Sequence, residues 1–282
     1  MLFGWAHAIS FTDAMNREVY VEEPTRVVSL YNSYGDAWET AGGTLLGSIP
    51  GEYELSPGVQ SLGSYRNPNL ELLFSLEPDF VLLAADVEPH VIIAAILDEA
   101  GVPCAFFDTK SYRDYMEMQR IFASLTGRED LFIRQENAVR LPIEEIISCT
   151  AGLPKPSALL IRAHSTAVKA RSSESTVAGA ILKDMGFRNL ADENSALCEG
   201  IGMEALLIED PDYIFAVMQG TSTEAAEQSF REALSSHPAW NSLTAVREGR
   251  FYILDRELFH YHPNDRWAEA YAFMLDILEE AK

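Results

Sequence analysis

From Ile146 to Ser173 the chain carries no acidic residue, although Asp and Glu number 43 among its 282 residues. That window holds Lys155, Arg162, Lys169 and Arg171. Cations gathered without carboxylates have the chemistry of anion binding, because charge-assisted contacts to carboxylate or phosphate are strong and Arg makes them in pairs. His164 lies among them, and Gln219, Arg256 and the run Phe259-His260-Tyr261-His262 follow later. The first half offers aromatic and polar groups instead: Tyr31, Asn32 and Tyr34, then Tyr65 beside Arg66, then Lys110. Tyrosine faces with a few cations suit a large planar or chelate ligand. All of these except Lys155, Phe259 and His262 are expected ligand contacts.

Nothing comparable points to catalysis. There is no Gly-x-Ser-x-Gly elbow, no phosphate loop and no Gly-x-Gly-x-x-Gly after the first strand. The close pair His260 and His262 would hold a transition ion only with further ligands beside it, so no metal site is assigned. Cys104, Cys149 and Cys198 are far apart and odd in number, which makes neither a disulfide framework nor a zinc knuckle and leaves free, buried thiols as the reading.

Strands must bring these residues together. Short apolar runs at Arg26–Leu30, Asp79–Ala84, Pro103–Asp108, Ala158–Arg162, Asp212–Met218 and Arg250–Leu254 alternate with helical patterns, which indicates an α/β fold with largely parallel sheets. In such sheets ligands sit outside the carboxyl ends of the strands. Arg162 and His164 are expected just after one strand, and Lys169 and Arg171 just before the next helix. Glu71 is followed by Pro78-Asp79 and a strand, and Glu204 by Pro211-Asp212 and a strand, at identical spacing. Leu73 and Leu206 are in register within this echo, which points to two related lobes. Residues 126–149 read as one long amphipathic helix, kinked at Pro142, joining a lobe of residues 1–125 to a lobe of residues 150–282. A last helix runs from Asn264, its expected N-cap, to Ala281, with Trp267, Tyr271, Met274, Leu275 and Leu278 on one face.

The net charge of −22 argues against nucleic acid or an anionic membrane as the main partner. No apolar run reaches the ~18 residues of a membrane span. The first eight residues end in Ala6-His7-Ala8, a small-x-small pattern without a basic n-region, which reads either as the stump of an export signal or as an apolar N-terminal segment.

The collinear set Pro24-x-Arg26-Val-Val-Ser-Leu, Asn69-Leu-Glu71 through Pro78-Asp79, Gly101-Val-Pro103, Leu182-Lys-Asp-Met-Gly186-Phe-Arg-Asn189, His237-Pro-Ala-Trp240 through Gly249-Arg250, and Pro263-Asn-Asp-Arg266-Trp resembles the class III substrate-binding proteins of bacterial ABC importers. These are the cobalamin, ferric-siderophore and haem binders, and the likeness runs from Val19 onward. It implies two Rossmann-like lobes joined by one long rigid helix, with the ligand in the cleft between them. It also implies that an acid on each lobe docks on the permease dimer, and Glu71 and Glu204 match those positions. The protein is then an extracytoplasmic monomer, free or lipid-anchored in its precursor, with no resident cofactor and no catalysis. The cations favour an iron chelate, a ferric siderophore before haem or cobalamin. The alternatives are a bare-metal receptor, or a chelatase-like enzyme on a similar scaffold using His164 and a nearby carboxylate.

Overall fold

The apolar runs form two separate sheets, one in each half of the chain. The structure, a computed structural model, describes residues 9–220 and 222–280; segment 1–8, the export-signal candidate, lies outside them. The chain divides into two units between Ala138 and Val139.

The first unit opens with an antiparallel hairpin, β1 (Ile9–Thr12) and β2 (Glu18–Val21). It continues with β3 (Val27–Ser29), α1 (Asn32–Thr40), β4 (Leu45–Ser48), β5 (Gln60–Ser61) and a small hairpin of β6 (Gly63–Ser64) and β7 (Asn67–Pro68). Then come α2 (Leu70–Ser75), β8 (Phe80–Ala84), α3 (Glu88–Glu99), β9 (Cys104–Phe107), α4 (Tyr112–Thr126) and α5 (Glu129–Gln135). The sheet order is β5-β4-β3-β8-β9 with all neighbours parallel. Central β8 is buried at every position, as a parallel strand covered on both faces must be. Val28, Leu30, Leu73, Val81, Leu83, Leu97 and Phe106 share its core, each burial contributing about 1.5–3 kcal/mol.

Helix continues beyond α5 through a π-turn at Glu136–Arg140 into α6 (Leu141–Thr150). The expected single regular helix is therefore interrupted. Pro142 lies in the first turn of α6, where the missing N–H is one that helices leave unpaired, and the π-turn before it takes up the irregularity. The apolar stripe breaks with it: Val139 and Ile143 are buried, whereas Ile133 and Leu141 are exposed.

The second unit comprises β10 (Ser157–His164), β11 (Ala167–Ala170), α7 (Val177–Asp184), β12 (Arg188–Asn189), α8 (Leu190–Glu193), α9 (Ala196–Glu199) and α10 (Met203–Glu209). These precede β13 (Tyr213–Met218), α11 (Thr223–Phe230), α12 (Thr244–Arg247), β14 (Phe251–Leu254), α13 (Arg256–Phe259) and α14 (Trp267–Glu280). The order is β11-β10-β13-β14, with β13 parallel to both neighbours and β11 antiparallel to β10. β10 thus runs on through Arg162 to His164, and Lys169 lies inside β11, where a loop was expected. The polar stretch forms a hairpin because Ala163, Val168 and Ala170 supply buried positions on its inner face.

Asn264 is not the cap of the last helix. It opens a 3-10 turn with φ 51°, and Pro263 takes the capping position. Tyr271 donates to Asp184 at 2.7 Å, fastening α14 to α7. Of the cysteines only Cys104 is buried; Cys198 is half-buried and Cys149 exposed.

The echo in the sequence is an echo in structure. Glu77 and Asp210, six residues after Glu71 and Glu204, both take left-handed backbone, with φ of 47° and 35°. Pro78 and Pro211 follow and disfavour the right-handed α region at those residues, so each helix stops and turns into a strand. The left-handed geometry costs roughly 1–2 kcal/mol per non-glycine residue, offset by the strand that follows. Asp79 then accepts from Thr25 N at 2.9 Å and Thr25 Oγ1 at 3.0 Å, as Asp212 accepts from Ser157 N at 2.8 Å and Ser157 Oγ at 2.7 Å. In each unit the carboxylate pins the entry of the neighbouring strand.

A carboxylate-free cation cluster as candidate functional site

In β10, Leu159, Ile161 and Ala163 enter the core, which leaves Leu160, Arg162 and His164 on the other face. Hairpin register sets Arg162 opposite Lys169, so their side chains share a face. Arg171 follows two residues later, its backbone N–H donating to Leu160 O at 2.8 Å. Arg162 and Arg171 line one narrow crevice with Thr176, Val217 and Phe259. Arg256 opens α13 and donates to Thr223 Oγ1 at 2.9 Å and to the Tyr261 hydroxyl, lying 5.2 Å from the Tyr261 ring centre. The His260 ring is 5.1 Å from that of Tyr261.

Among the described residues no carboxylate forms an ion pair with Arg162, Lys169, Arg171 or Arg256. The Nε atoms of Arg171 and Arg256 and Nδ1 of His260 are buried without a hydrogen-bond partner. Burial and the charge of Arg171 push the Arg162 guanidinium down to about 10, still charged at neutral pH. Burial, with Arg162, Arg256 and His262 nearby, pushes His260 down to about 3, so its imidazole is neutral. Such a cluster can hold an anion of several charges.

His164 ends β10 exposed, with Ser165 Oγ 3.2 Å from its Nδ1. Gly220 passes so close that an added Cβ would lie 3.1 Å from His164 Nε2. Gln219 sits at the adjacent strand end, its N–H donating to Ala163 O at 2.8 Å. Among the described residues no carboxylate bonds to His164; its Nδ1 has the hydroxyls of Ser165 and Thr166 beside it. No group of three or more His, Cys, Asp or Glu there could hold a metal ion.

In the first unit Tyr31 packs 4.8 Å from Tyr34 and 6.3 Å from Tyr65. Tyr65 and Arg66 form the tip of the β6–β7 hairpin, and the guanidinium lies 5.5 Å from the Tyr65 ring centre. Two expected contacts are corrected. Tyr34 is wholly buried and donates to Phe107 O at 3.0 Å, which makes it a core residue. Asn32 is buried too: it accepts from Tyr53 N at 2.7 Å and donates to Tyr53 O at 3.1 Å, pinning the loop after β4. Lys110 donates to Asp108 at 2.6 Å, a bond that raises its pKa, so its charge is already matched. Burial, then Asp86, Tyr65 and Asp108, raises the Tyr31 phenol and keeps it neutral.

His90, given no role from sequence, organises this patch. Its Nδ1 accepts from Ala84 N at 2.9 Å, so Nε2 carries the proton and donates to Tyr65 O at 2.9 Å. Burial lowers its pKa. The available signal was a lone histidine in the first turn of an apolar helix.

Glu71 and Glu204 are exposed in the first turns of α2 and α10, each helix seated by a fully buried leucine, Leu73 or Leu206. No helix among the described residues is long and apolar enough to cross a membrane.

Known proteins share this architecture. The chain is 27% identical over 248 residues to the Fe(3+)-citrate-binding protein YfmC of Bacillus subtilis, which covers 83% of this chain and 74% of that protein. An ABC transporter substrate-binding protein from Listeria monocytogenes superposes with a TM-score of 0.76 at 20% identity, covering 91% of this chain and 99% of that one. Staphylococcus aureus SirA, complexed with staphyloferrin B, gives a TM-score of 0.70 at 18% identity, covering 97% and 98%. A family model described as periplasmic binding protein matches residues 44–258, and the chain accordingly belongs to that family, in its class III type that serves bacterial ABC importers.

Proposed function

We propose that the protein captures an anionic iron chelate, a ferric siderophore in preference to haem or cobalamin, outside the cytoplasmic membrane and delivers it as a monomer to an ABC permease dimer. It does no chemistry on its cargo. The observation that carries this reading is the set Arg162, Arg171 and Arg256, half-buried and free of carboxylate partners. Desolvated cations without counter-charges weaken a fold, and an anionic ligand is what would justify them. Lys169, His164, Gln219, His260 and Tyr261 belong to the same face or strand ends, and Tyr31, Tyr65 and Arg66 offer the first unit's aromatic surface to the same class of ligand. The names of YfmC, an Fe(3+)-citrate binder, and of the SirA complex with staphyloferrin B lend support. Cobalamin would ask less of the cations.

Tryptophan fluorescence and visible absorbance, followed while ferric citrate, other ferric siderophores, haem, cobalamin and zinc are titrated in turn, test this. Saturable binding of an anionic ferric chelate is expected. Tight zinc binding without any response to chelates would sink the reading.

A further inference from the structure

Both main-chain polar groups of Arg171 are held. Its N–H donates to Leu160 O at 2.8 Å, and its carbonyl oxygen accepts from Asn189 Nδ2 at 2.8 Å. Asn189 is 2% exposed and is itself fixed: it lies in β12 opposite Ala158 of β10, and its Oδ1 accepts from Ala191 N at 3.2 Å, capping α8. The same Nδ2 also donates to Ser173 Oγ at 3.3 Å, and the Ser173 N–H donates to the Asp192 carboxylate at 2.7 Å. From the other side α7 presses on this segment, because a Cβ added to Gly179 would lie 2.7 Å from Ser172 O and 2.8 Å from Ser173 Cα. Residues 171–173 are therefore clamped between the edge of β10, the β12–α8 junction and the first turn of α7.

The clamp matters because of the side chain it carries. Arg162 and Arg171 line one crevice, and like charges in a half-buried space drive apart wherever the backbone can yield. A backbone held by buried hydrogen bonds keeps the second guanidinium at the crevice before any ligand arrives. A site already gathered in this way loses no binding energy to ordering its own charges. We propose that Asn189 is a positioning residue of the anion site: it holds Arg171 beside Arg162 in the empty protein, and so supports affinity for a multiply charged chelate without touching the cargo. This rests on the chelate-binding reading above.

Asn189→Ser keeps an oxygen that can cap α8 and removes the amide that reaches Arg171 O. Titration calorimetry with ferric citrate, and with ferric staphyloferrin B as a second anionic chelate, compares native protein, Asn189→Ser, Arg171→Ala and the double variant. Alone, Asn189→Ser should weaken binding by roughly tenfold, the equivalent of one hydrogen bond. In the Arg171→Ala background it should change affinity by less than about twofold, because the residue acts through Arg171. Without chelate, the Arg171 and Ser173 amides should exchange hydrogen faster in Asn189→Ser while those of β13 stay protected. Should Asn189→Ser not fold, Gly179→Ala, which displaces the same segment from the α7 side, is read in its place with the same outcomes. Full affinity in the folded variant, or an equal loss with and without Arg171, overturns the inference and leaves the chelate reading standing. If neither chelate binds the native protein, both fall.

Discussion

Asp212 and Ser157 are bound to each other three times: the carboxylate accepts from the serine N–H at 2.8 Å and hydroxyl at 2.7 Å, and the Asp212 N–H donates to Ser157 Oγ at 3.0 Å. The pair joins the first residue of β10 to the residue before β13, locking the parallel register of the two central strands. Replacing Asp212 by Ala strips a backbone N–H of its acceptor and should destabilise the protein by about 1.5–3 kcal/mol, the range for hydrogen bonds to charged groups. Asp79→Ala should lose less, since its contacts to Thr25 are more exposed. Urea unfolding followed by tryptophan fluorescence measures both, and a loss as large for Asp79→Ala would contradict the assignment.

Arg162→Ala and Arg171→Ala should each weaken an anionic ferric chelate by about 10- to 100-fold, or ~1.5–3 kcal/mol. Removing an uncompensated charge relieves repulsion, so neither variant should melt earlier than the native protein without ligand. Titration calorimetry paired with thermal melting checks both halves. Unchanged affinity would move the binding surface away from this face.

The proposed permease contact predicts a different separation. Glu71→Ala combined with Glu204→Ala should leave chelate affinity intact, because both side chains are exposed on the first turns of their helices. Stimulation of the reconstituted transporter's ATPase should disappear. Normal stimulation would refute docking through these two acids.

Thiol reactivity should rank by environment. Burial raises the pKa of Cys104, whose sulfur also accepts from Arg17 at 3.5 Å, so its thiol stays protonated and covered. Maleimide at neutral pH should label exposed Cys149 first, Cys198 more slowly and Cys104 only on unfolding. Mass spectrometry of digested protein gives the order, and early labelling of Cys104 would contradict it.

The central strands were legible because parallel strands buried on both faces are continuous apolar runs, as in Phe80–Ala84 and Tyr213–Met218. The Glu71 and Glu204 repeat was legible because one local rule, a helix stopped by proline, operates twice. The β10–β11 hairpin was not, since its polar residues alternate with small buried ones and the run looks like loop. Tyr34 and Asn32 misled for a related reason: near a strand end the residue type does not say whether a side chain turns outward or back under the next helix. The π-turn escaped because apolar spacing around Ala138 fits a regular helix nearly as well. For the cations, the absence of acids over a long window was informative, because it is a property of the surroundings instead of single residues.

The same absence has a cost for the empty protein. Arg162 and Arg171 repel each other across a partly desolvated space, and among the described residues no carboxylate pairs with either. Any multivalent anion that settles there acts as a folding ligand, raising the melting temperature in proportion to the logarithm of its concentration. If the cluster binds anions as proposed, phosphate, sulfate or citrate in a purification buffer would make the protein look sturdier and its affinity for cargo look weaker than they are, and the unprotected form would be seen in buffers of monovalent anions.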